Sequence, residues 1–382
     1  MSNFLTGFDN FKREWKISSD LALNFKIQYS ADIFNPNNHD LLEVGDSERK
    51  IIVIDQTVYK LYKKYLINYF KINKASFFLL SIEASEENKD WRNIQKILLF
   101  FEKNKILRRS EPIIAIGGGV LLDMVGFACS IYRRGIPYVK VPTTLLAIVD
   151  VSVGAKVAVN HFDRRNRIGS YYPAETSLID KKFIESQDHR NIKNGIAEIF
   201  KLAIIKDAEL FDLLDQNAGL LIRDKFQYGA VPVRVINLAI SGMVDELAPN
   251  LWEKNLKRCV DFGHSFSPII EMKNLPKLFH GEAVVLDCLF SACISHARKI
   301  LPLLDLKKIF EVAKKLELPS YHKDFTNKKL LFKALEDTMK HRNNNQYLPI
   351  PIKIGNYKFI NNLNMSDLTK SIAIFSNFKG KS

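Results

Sequence analysis

Short apolar runs bounded by turn residues recur through the first half of the chain. Residues 51–55 (IIVID), 77–82 (FFLLSI), 112–116 (PIIAI) and 138–141 (YVKV) are rich in β-branched and aromatic side chains and predict buried strands. Between them, residues 58–70 and 91–107 carry apolar positions at helical spacing. Strand and helix in alternation predict a mostly parallel, Rossmann-like sheet with crossover helices. The opening segment 15–34, with LALNFKIQYS, reads as one or two further strands. After residue 191 the pattern changes to successive helices over 194–214, 232–247, 280–300, 306–316 and 328–340. One extended pair, YLPIPIKIGNYKFI, folds around Gly355-Asn356. The boundary falls within 175–190, after TSLID. The expected organisation is therefore an α/β domain over 1–180 and an all-α domain over 181–382.

Composition narrows the class. A 382-residue chain that is 47% hydrophobic and 26% charged is an ordinary globular one. No apolar run reaches the roughly 18 to 20 residues that span a bilayer. The start, MSNFLTGFDNFKREWK, lacks the apolar core of a signal peptide, so a cytoplasmic location is expected. Cys129, Cys259, Cys288 and Cys293 form no CxxC pair and read as buried thiols. The formal charge of +14 is spread in pairs such as Lys63-Lys64, Arg108-Arg109 and Lys314-Lys315, without a basic stripe interleaved with aromatics. That distribution argues for a solvated surface and against a nucleic-acid partner. It leaves room for a phosphorylated small molecule.

Candidate chemistry lies at strand ends and between the two halves. IIAIGGGV runs from a strand through Gly117, Gly118 and Gly119 into a helix start that carries Asp123. Glycines there let a pyrophosphate approach first-turn amides, although the spacing is not GxGxxG. Asp55 ends an earlier strand, where it can bond ribose hydroxyls or simply start a helix; Thr143 and Thr144 end another, as ligands or as an ordinary turn. DVSVGAKVAVN brings Asp150 and Lys156, and RRNRIGSYYP brings Arg165 and Asn166. These stretches read as an anion site lined by cations, or as surface loops. Glu198 and Lys201, three apart, share a helix face. His264 in VDFGHSFSP and His280 in HGEAVVLDCLF would complete, with Glu198, a zinc ligand set that leaves a position open. Their spacing matches no local metal signature, so packed histidines are the favoured reading at this level.

In this order, GGGVLLDMVGF, RRGIPYVKVPTTLLAIVDVSVGAKVAVN, NRIGSYYP, NGIAEIFK, DFGHSF and HGEAV resemble the sugar phosphate cyclase superfamily, the 3-dehydroquinate synthase-like enzymes. The resemblance covers residues 51–354. It implies an NAD-binding first domain, a helical metal-binding second domain, a homodimer, and no membrane or nucleic-acid partner. It makes Glu198, His264 and His280 the ligands of Zn2+ or Co2+. It puts Asp55, Glu86, Lys89, Gly117 to Gly119, Asp123, Thr143, Thr144, Lys156, Arg165, Phe183 and Ser186 at NAD contacts, with Arg165 standing where the family has lysine. Asp150, Lys156, Asn166 and Lys201 fall at catalytic positions around the substrate phosphate. Dehydroquinate synthases read NFGHxxGH, where this chain has Asp261 and Pro268. A family lysine aligns with Met243, and an arginine with Lys257, with Arg258 one residue away. These changes imply a pocket with fewer cations, poorly suited to a substrate carboxylate. Leu247, Asp261 and His341 instead match the branch converting sedoheptulose 7-phosphate to 2-epi-5-epi-valiolone, whereas the desmethyl-4-deoxygadusol branch has glutamate, alanine and threonine there. A metal-dependent polyol dehydrogenase is the alternative from another class, disfavoured by the phosphate-site cations.

Overall fold

The computed structural model describes residues 23–162 and 164–379. Strands β1 (Lys26–Tyr29), β2 (Arg49–Asp55), β3 (Ser76–Ile82), β4 (Ile113–Gly117), β5 (Tyr138–Pro142) and β8 (Thr176–Ile179) form one sheet in the order β1-β8-β5-β4-β2-β3. All its pairings are parallel. Of the strands expected over 15–34, β1 is present; the part of that segment before Leu23 lies outside the described residues. Alternate residues of the central strands feed two cores. Ile51, Val53, Ile113 and Ala115 pack with Ile94, Ile97, Phe101, Leu121 and Leu122, from α2 (Trp91–Lys103) and α3 (Gly119–Ile131). Ile52, Ile54, Ile114 and Ile116 pack with Leu66, Tyr69 and Phe70 of α1 (Gln56–Ile72). Burial on both faces is why these strands read as unbroken apolar runs.

The chain passes from β2 through α1 to β3 on one side, then crosses to β4 on the other side of β2 and continues to β5. The direction of winding thus reverses between β2 and β4. The crevice outside their carboxyl ends is where open α/β sheets take ligands, and Asp55 and Gly117 stand at its two lips.

The polar stretches read as possible surface loops form an antiparallel hairpin instead, β6 (Lys156–His161) with β7 (Arg164–Tyr171). Val157 and Val159 point into the core while Ala158 and Asn160 are half-buried, so the short alternation in KVAVN was a strand signal after all. Gly126 of α3 makes room for this hairpin, since a Cβ there would lie 2.5 Å from Val157. Between β5 and β6, the π-helical turn Ala147–Val151 carries Asp150. The buried Lys140 ammonium holds that turn by donating to the carbonyls of Val151 and Gly154, each at 2.8 Å. Burial lowers its pKa to about 8, against the pull of Asp123 and Asp150.

The second half contains α4 (His189–Ile205), α5 (Ala208–Arg223), α6 (Ala230–Leu247), α7 (Ser267–Lys273), α8 (His280–Ala297), α9 (Leu303–Lys315), α10 (Lys328–His341) and α11 (Met365–Ser376). The hairpin of β9 (Leu348–Lys353) and β10 (Asn356–Ile360) interrupts them at the expected glycine turn. The single helix expected over 194–214 is two, because Asp207 accepts the Leu210 amide at 3.0 Å and starts α5. α7 and α11 were not anticipated, although Asn364 caps α11 by accepting from the Ser366 and Asp367 amides. One large core runs through these helices and takes in Leu145, Ile148, Val149 and Val153 around the π-helical turn.

Gly195 lets α4 lie against the start of that turn, for a Cβ there would meet the Leu146 backbone nitrogen at 2.6 Å. Gly195→Ala is therefore expected to cost about 1–3 kcal/mol of stability, as an overpacked core does. Urea unfolding should show a lower midpoint with unchanged slope; an unchanged midpoint would contradict this account of the α4 contact.

Candidate active site

At the crevice between β2 and β4, Asp55 does two jobs. Its Oδ1 accepts from the Thr57 and Val58 amides, capping α1, and Oδ2 accepts from the Ala84 amide at 3.3 Å. Across from it, Gly117 closes to the Asp55 Cβ, and a Cβ at Gly118 would lie 3.2 Å from Thr144. No side chain among the described residues caps α3, so its first-turn amides remain available to an anion. The Thr143 hydroxyl is buried without a hydrogen-bond partner among the described residues, while Thr144 Oγ1 accepts from the Ala147 amide.

Lys89 sits behind this turn, almost fully buried. Its ammonium bridges Asp123 Oδ2 at 2.5 Å and Asn166 Oδ1 at 2.6 Å. Asn160 donates to Glu86 Oε1 at 2.8 Å and accepts the Asn166 amide, tying the hairpin to the β3–α2 connection. Arg165 reaches further, with Nε 3.3 Å from Glu86 and Nη1 2.5 Å from Glu271 of α7. One side chain thus spans from the sheet side of the cleft to the helical side.

The second cluster is assembled from three places. Glu198 lies in the middle of α4, His264 in the loop before α7, and His280 in the first turn of α8; one donor atom from each lies within 4.8 Å of the others. Two glycines make this possible. Gly263 has φ +77°, and a Cβ there would meet the Cys288 sulfur at 2.7 Å. At Gly281 a Cβ would lie 2.3 Å from the Asn194 carbonyl oxygen, so α8 can approach α4 only with glycine. Asp287 of α8 pins the His264 loop: its Oδ2 accepts the Ser265, Phe266 and Ser267 amides at 2.8, 2.6 and 2.8 Å. Pro268, next in line, has no N–H and sits in the first turn of α7, where none is needed.

The donor set fits a divalent cation. Both Glu198 oxygens are buried without a well-aligned hydrogen bond among the described residues. Oε2 has the Lys201 ammonium at 2.5 Å, and Oε1 faces His280 Nε2 at 3.4 Å and His264 Nε2 at 3.8 Å. A buried carboxylate oxygen facing two imidazole nitrogens is a donor set that suits a divalent cation. His264 Nδ1 lies 3.3 Å from the Phe262 carbonyl, so a proton there leaves the Nε2 lone pair toward Glu198. His280 Nδ1 lies 2.9 Å from both Glu271 Oε2 and Arg165 Nη1. Arg165 Nη1 already donates to Glu271 Oε1, so we assign the Nδ1 proton to Glu271 Oε2. A carboxylate behind a ligating imidazole orients the ring and raises its basicity.

Among the protein's own groups, charge is divided unequally at this site. Burial, then Lys201, pushes His264 down to about 3. Burial acts against the His280 cation too, but Glu271 outweighs it and raises His280 to about 9. Glu271 itself resists its burial and is held at about 2 by His280 and Arg165. Glu198 is held well below the usual carboxylate range despite burial, first by Lys201. Asp150 is raised, by burial and then by the Glu198 carboxylate.

A third cluster joins the hairpin to the loops beyond α6 and α10. Lys156 lies 2.6 Å from Glu253, which also accepts from the Tyr171 hydroxyl at 3.1 Å and pairs with Arg258. Arg258 in turn holds Asp261 at 2.7 Å, and Arg342 stands 3.1 Å from the other Asp261 oxygen.

The other residues named from the sequence take varied places. Arg258, not Lys257, joins this cluster; Lys257 is exposed, with its ammonium 5.0 Å from the centre of the Phe359 ring. His341 does not reach Asp261: its side chain is 61% exposed and pairs with Asp337 at 3.7 Å, while the next residue, Arg342, turns inward. Leu247 packs against the helical core and lines a 1240 Å³ groove with Phe25, Val244 and Trp252, apart from the metal-competent trio. Phe183 is a core residue, packed edge-on against Phe34 and Tyr62, which leaves only its backbone for a ligand; the exposed Ser186 bonds the Phe183 carbonyl. Asn166 stands with Lys89 and Asp123 at the sheet side. The pocket is also not short of cations, since two arginines replace the expected loss. Glu253, Glu271, Asp287 and Arg342 were not anticipated. Each acts through a partner distant in sequence, so no local spacing marks it.

Residues 79–194 match the 3-dehydroquinate synthase N-terminal family, and residues 195–341 match the corresponding C-terminal family. The chain belongs to the 3-dehydroquinate synthase family of sugar phosphate cyclases. Within that family it is 40% identical to a 2-epi-5-epi-valiolone synthase of an Actinomyces species over 93% of this chain and 96% of the relative. It is likewise 40% identical to a 2-epi-5-epi-valiolone synthase of Streptomyces albus, over 96% and 92% of the two chains. Among solved structures, ValA, a 2-epi-5-epi-valiolone synthase from Streptomyces hygroscopicus subsp. jinggangensis with NAD+ and Zn2+ bound, superposes with a TM-score of 0.92. It is 38% identical, covering 95% of this chain and 99% of ValA.

Removing the Glu271 charge should loosen the trio without dismantling it. Glu271→Gln is expected to weaken Zn2+ binding about 10- to 100-fold, the usual effect of losing the carboxylate behind a ligating histidine. Competition with a chromogenic chelator measures this; an unchanged affinity would remove Glu271 from the account.

Proposed function

We propose that this chain converts sedoheptulose 7-phosphate to 2-epi-5-epi-valiolone and inorganic phosphate, using NAD and a zinc or cobalt ion. The observation that carries the reading is the near full-length likeness to ValA, with a TM-score of 0.92, together with an intact, cation-seeking Glu198–His264–His280 trio. The trio would hold the metal, and the crevice between Asp55 and the Gly117–Gly119 turn would hold the dinucleotide. Bound there, the metal supplies polarisation of adjacent sugar hydroxyls, and the nicotinamide supplies a hydride acceptor that later gives the hydride back, leaving no net redox change.

The chain's own groups serve the remaining steps. Elimination moves the C6 proton onto an oxygen of the departing phosphate as the C7–O bond breaks, leaving a C6–C7 double bond. Ring opening then frees the C2 ketone, and C7 adds to it to close a six-membered carbocycle. Lys201 is buried and kept cationic despite that burial by Glu198 and Asp150. Lys156 stands exposed at the other end of the Glu253 bridge. Together they offset charge on the departing phosphate. Asp150, with its raised pKa, suits a group that takes up and passes on a proton between sugar hydroxyls. Asn166, fixed by Lys89, orients the phosphate from the sheet side.

Among the described residues no helix is long and apolar enough to cross a membrane. All four cysteines are free and buried, which suits the reducing cytoplasm in which we place this enzyme, as a family-type homodimer.

Purified protein given sedoheptulose 7-phosphate, NAD+ and Zn2+ should release one phosphate per sugar with no accumulation of NADH. Lys201→Ala should lower kcat/KM by about 100-fold or more, as losses of positioned charge do. Net NADH formation, or turnover confined to the carboxylate-bearing precursor of 3-dehydroquinate, would overturn the reading.

A further inference from the structure

Two guanidinium groups converge on one buried carboxylate beside the cleft. Arg258 Nη2 donates to Asp261 Oδ1 at 2.7 Å and its Nε to Oδ2 at 3.3 Å, while Arg342 Nη2 stands 3.1 Å from that same Oδ2. Both Asp261 oxygens are thus engaged by cations, in the fork geometry with which arginine holds a free carboxylate. The arginines are held independently of the anion between them. Arg342 Nη1 donates to the carbonyls of Gln346 and Tyr347 at 2.7 and 3.3 Å, and the amides of both residues are pinned by Asn361 Oδ1. Arg258 is braced from its other side by Glu253, itself anchored by Lys156 and Tyr171. Only the central anion is a short side chain, borne on the turn three residues before His264.

The geometry points to Arg258 and Arg342 as a preformed anion subsite that this chain fills from within: Asp261 occupies it, so a ligand bearing a carboxylate finds its cations already neutralised. Arg342 is thereby a specificity-determining residue, acting through Asp261. The consequence for substrate choice rests on the reading of the chain as a cyclase of a sugar phosphate without a carboxylate. The existence of the subsite does not.

The test truncates Asp261 and offers the missing group back. Asp261→Ala removes the carboxylate and leaves room for formate between the two arginines. Thermal unfolding of the variant, with Zn2+ and NAD+ present, is followed with sodium formate against sodium chloride at equal ionic strength. At ten times its dissociation constant, formate should raise the unfolding temperature of Asp261→Ala by roughly 2 °C, with little effect on the unmutated protein. In Asp261→Ala/Arg342→Met that shift should disappear. A variant indifferent to formate, or a double variant that responds equally, would overturn the subsite. Should Asp261→Ala fold only with formate present, that supports the proposal directly. If it folds under neither condition, Asp261→Asn and Asp261→Asn/Arg342→Gln carry the test: removing both charges should recover thermal stability lost on removing one, and no recovery would overturn it. Phosphate release from sedoheptulose 7-phosphate is read alongside. Inactivity of the unmutated protein would sink the cyclase reading while leaving the formate result to judge the subsite.

Discussion

The arrangement of the candidate active site depends on one buried carboxylate outside the Glu198–His264–His280 trio. Asp287 lies fully inside α8, where an unpaired charge would cost several kcal/mol. Three successive amides, those of Ser265, Phe266 and Ser267, converge on its Oδ2, and the Ser291 hydroxyl reaches Oδ1 at 3.2 Å. Burial still raises its pKa, with those donors pulling the other way. The effect is mechanical. The helix that begins with His280 also holds the turn that presents His264, so two of the three candidate ligands are tied to one element. Gly281 then brings that element against α4, within reach of Glu198. Replacing any one of these contacts would separate imidazole from carboxylate before it changed any donor atom.

From that cluster a run of alternating charges crosses the cleft. Glu86, Arg165, Glu271 and His280 form one arm, and Lys156, Glu253, Arg258, Asp261 and Arg342 form the other. Each arm begins near the β6–β7 hairpin or the sheet and ends in the helical part. Buried charges in such numbers are tolerable only because each has a partner of opposite sign. Selectivity then follows from which charges are already matched. The second arm contains two arginines, both already paired with Asp261, so the exclusion of a carboxylate that we propose would come from internal neutralisation rather than from a lack of cations.

Much of this was legible in the sequence, and the exceptions have physical causes. The strands containing Ile51–Asp55 and Ile113–Gly117 could be read because burial on both faces leaves unbroken apolar runs. The GGG turn could be read because glycine is the residue a close helix start requires. Glu198, His264 and His280 could be joined only through resemblance, since α4, the Gly263 turn and α8 meet in space alone. The break in helix 194–214 is hidden because the apolar period runs past the Asp207 cap. His341 is named by resemblance alone, while its neighbour Arg342 is the one that reaches Asp261: successive side chains on a helix point about 100° apart, and no local pattern says which of the two faces inward. Phe183 lies at a position suggested by resemblance, yet its apolar side chain went to the core, where burial favours it, while Leu247 is half-buried and lines a groove.

The central claim is that Glu198, His264 and His280 share one metal ion, each through a single donor atom. Anomalous diffraction at the zinc absorption edge, from crystals of the protein grown with Zn2+, tests it most directly. The account predicts one strong peak per chain, about 2.0–2.2 Å from Glu198 Oε1 and from Nε2 of both histidines. Crystals grown with Zn2+ that show no peak among those three atoms, or zinc bound only elsewhere in the chain, would contradict it.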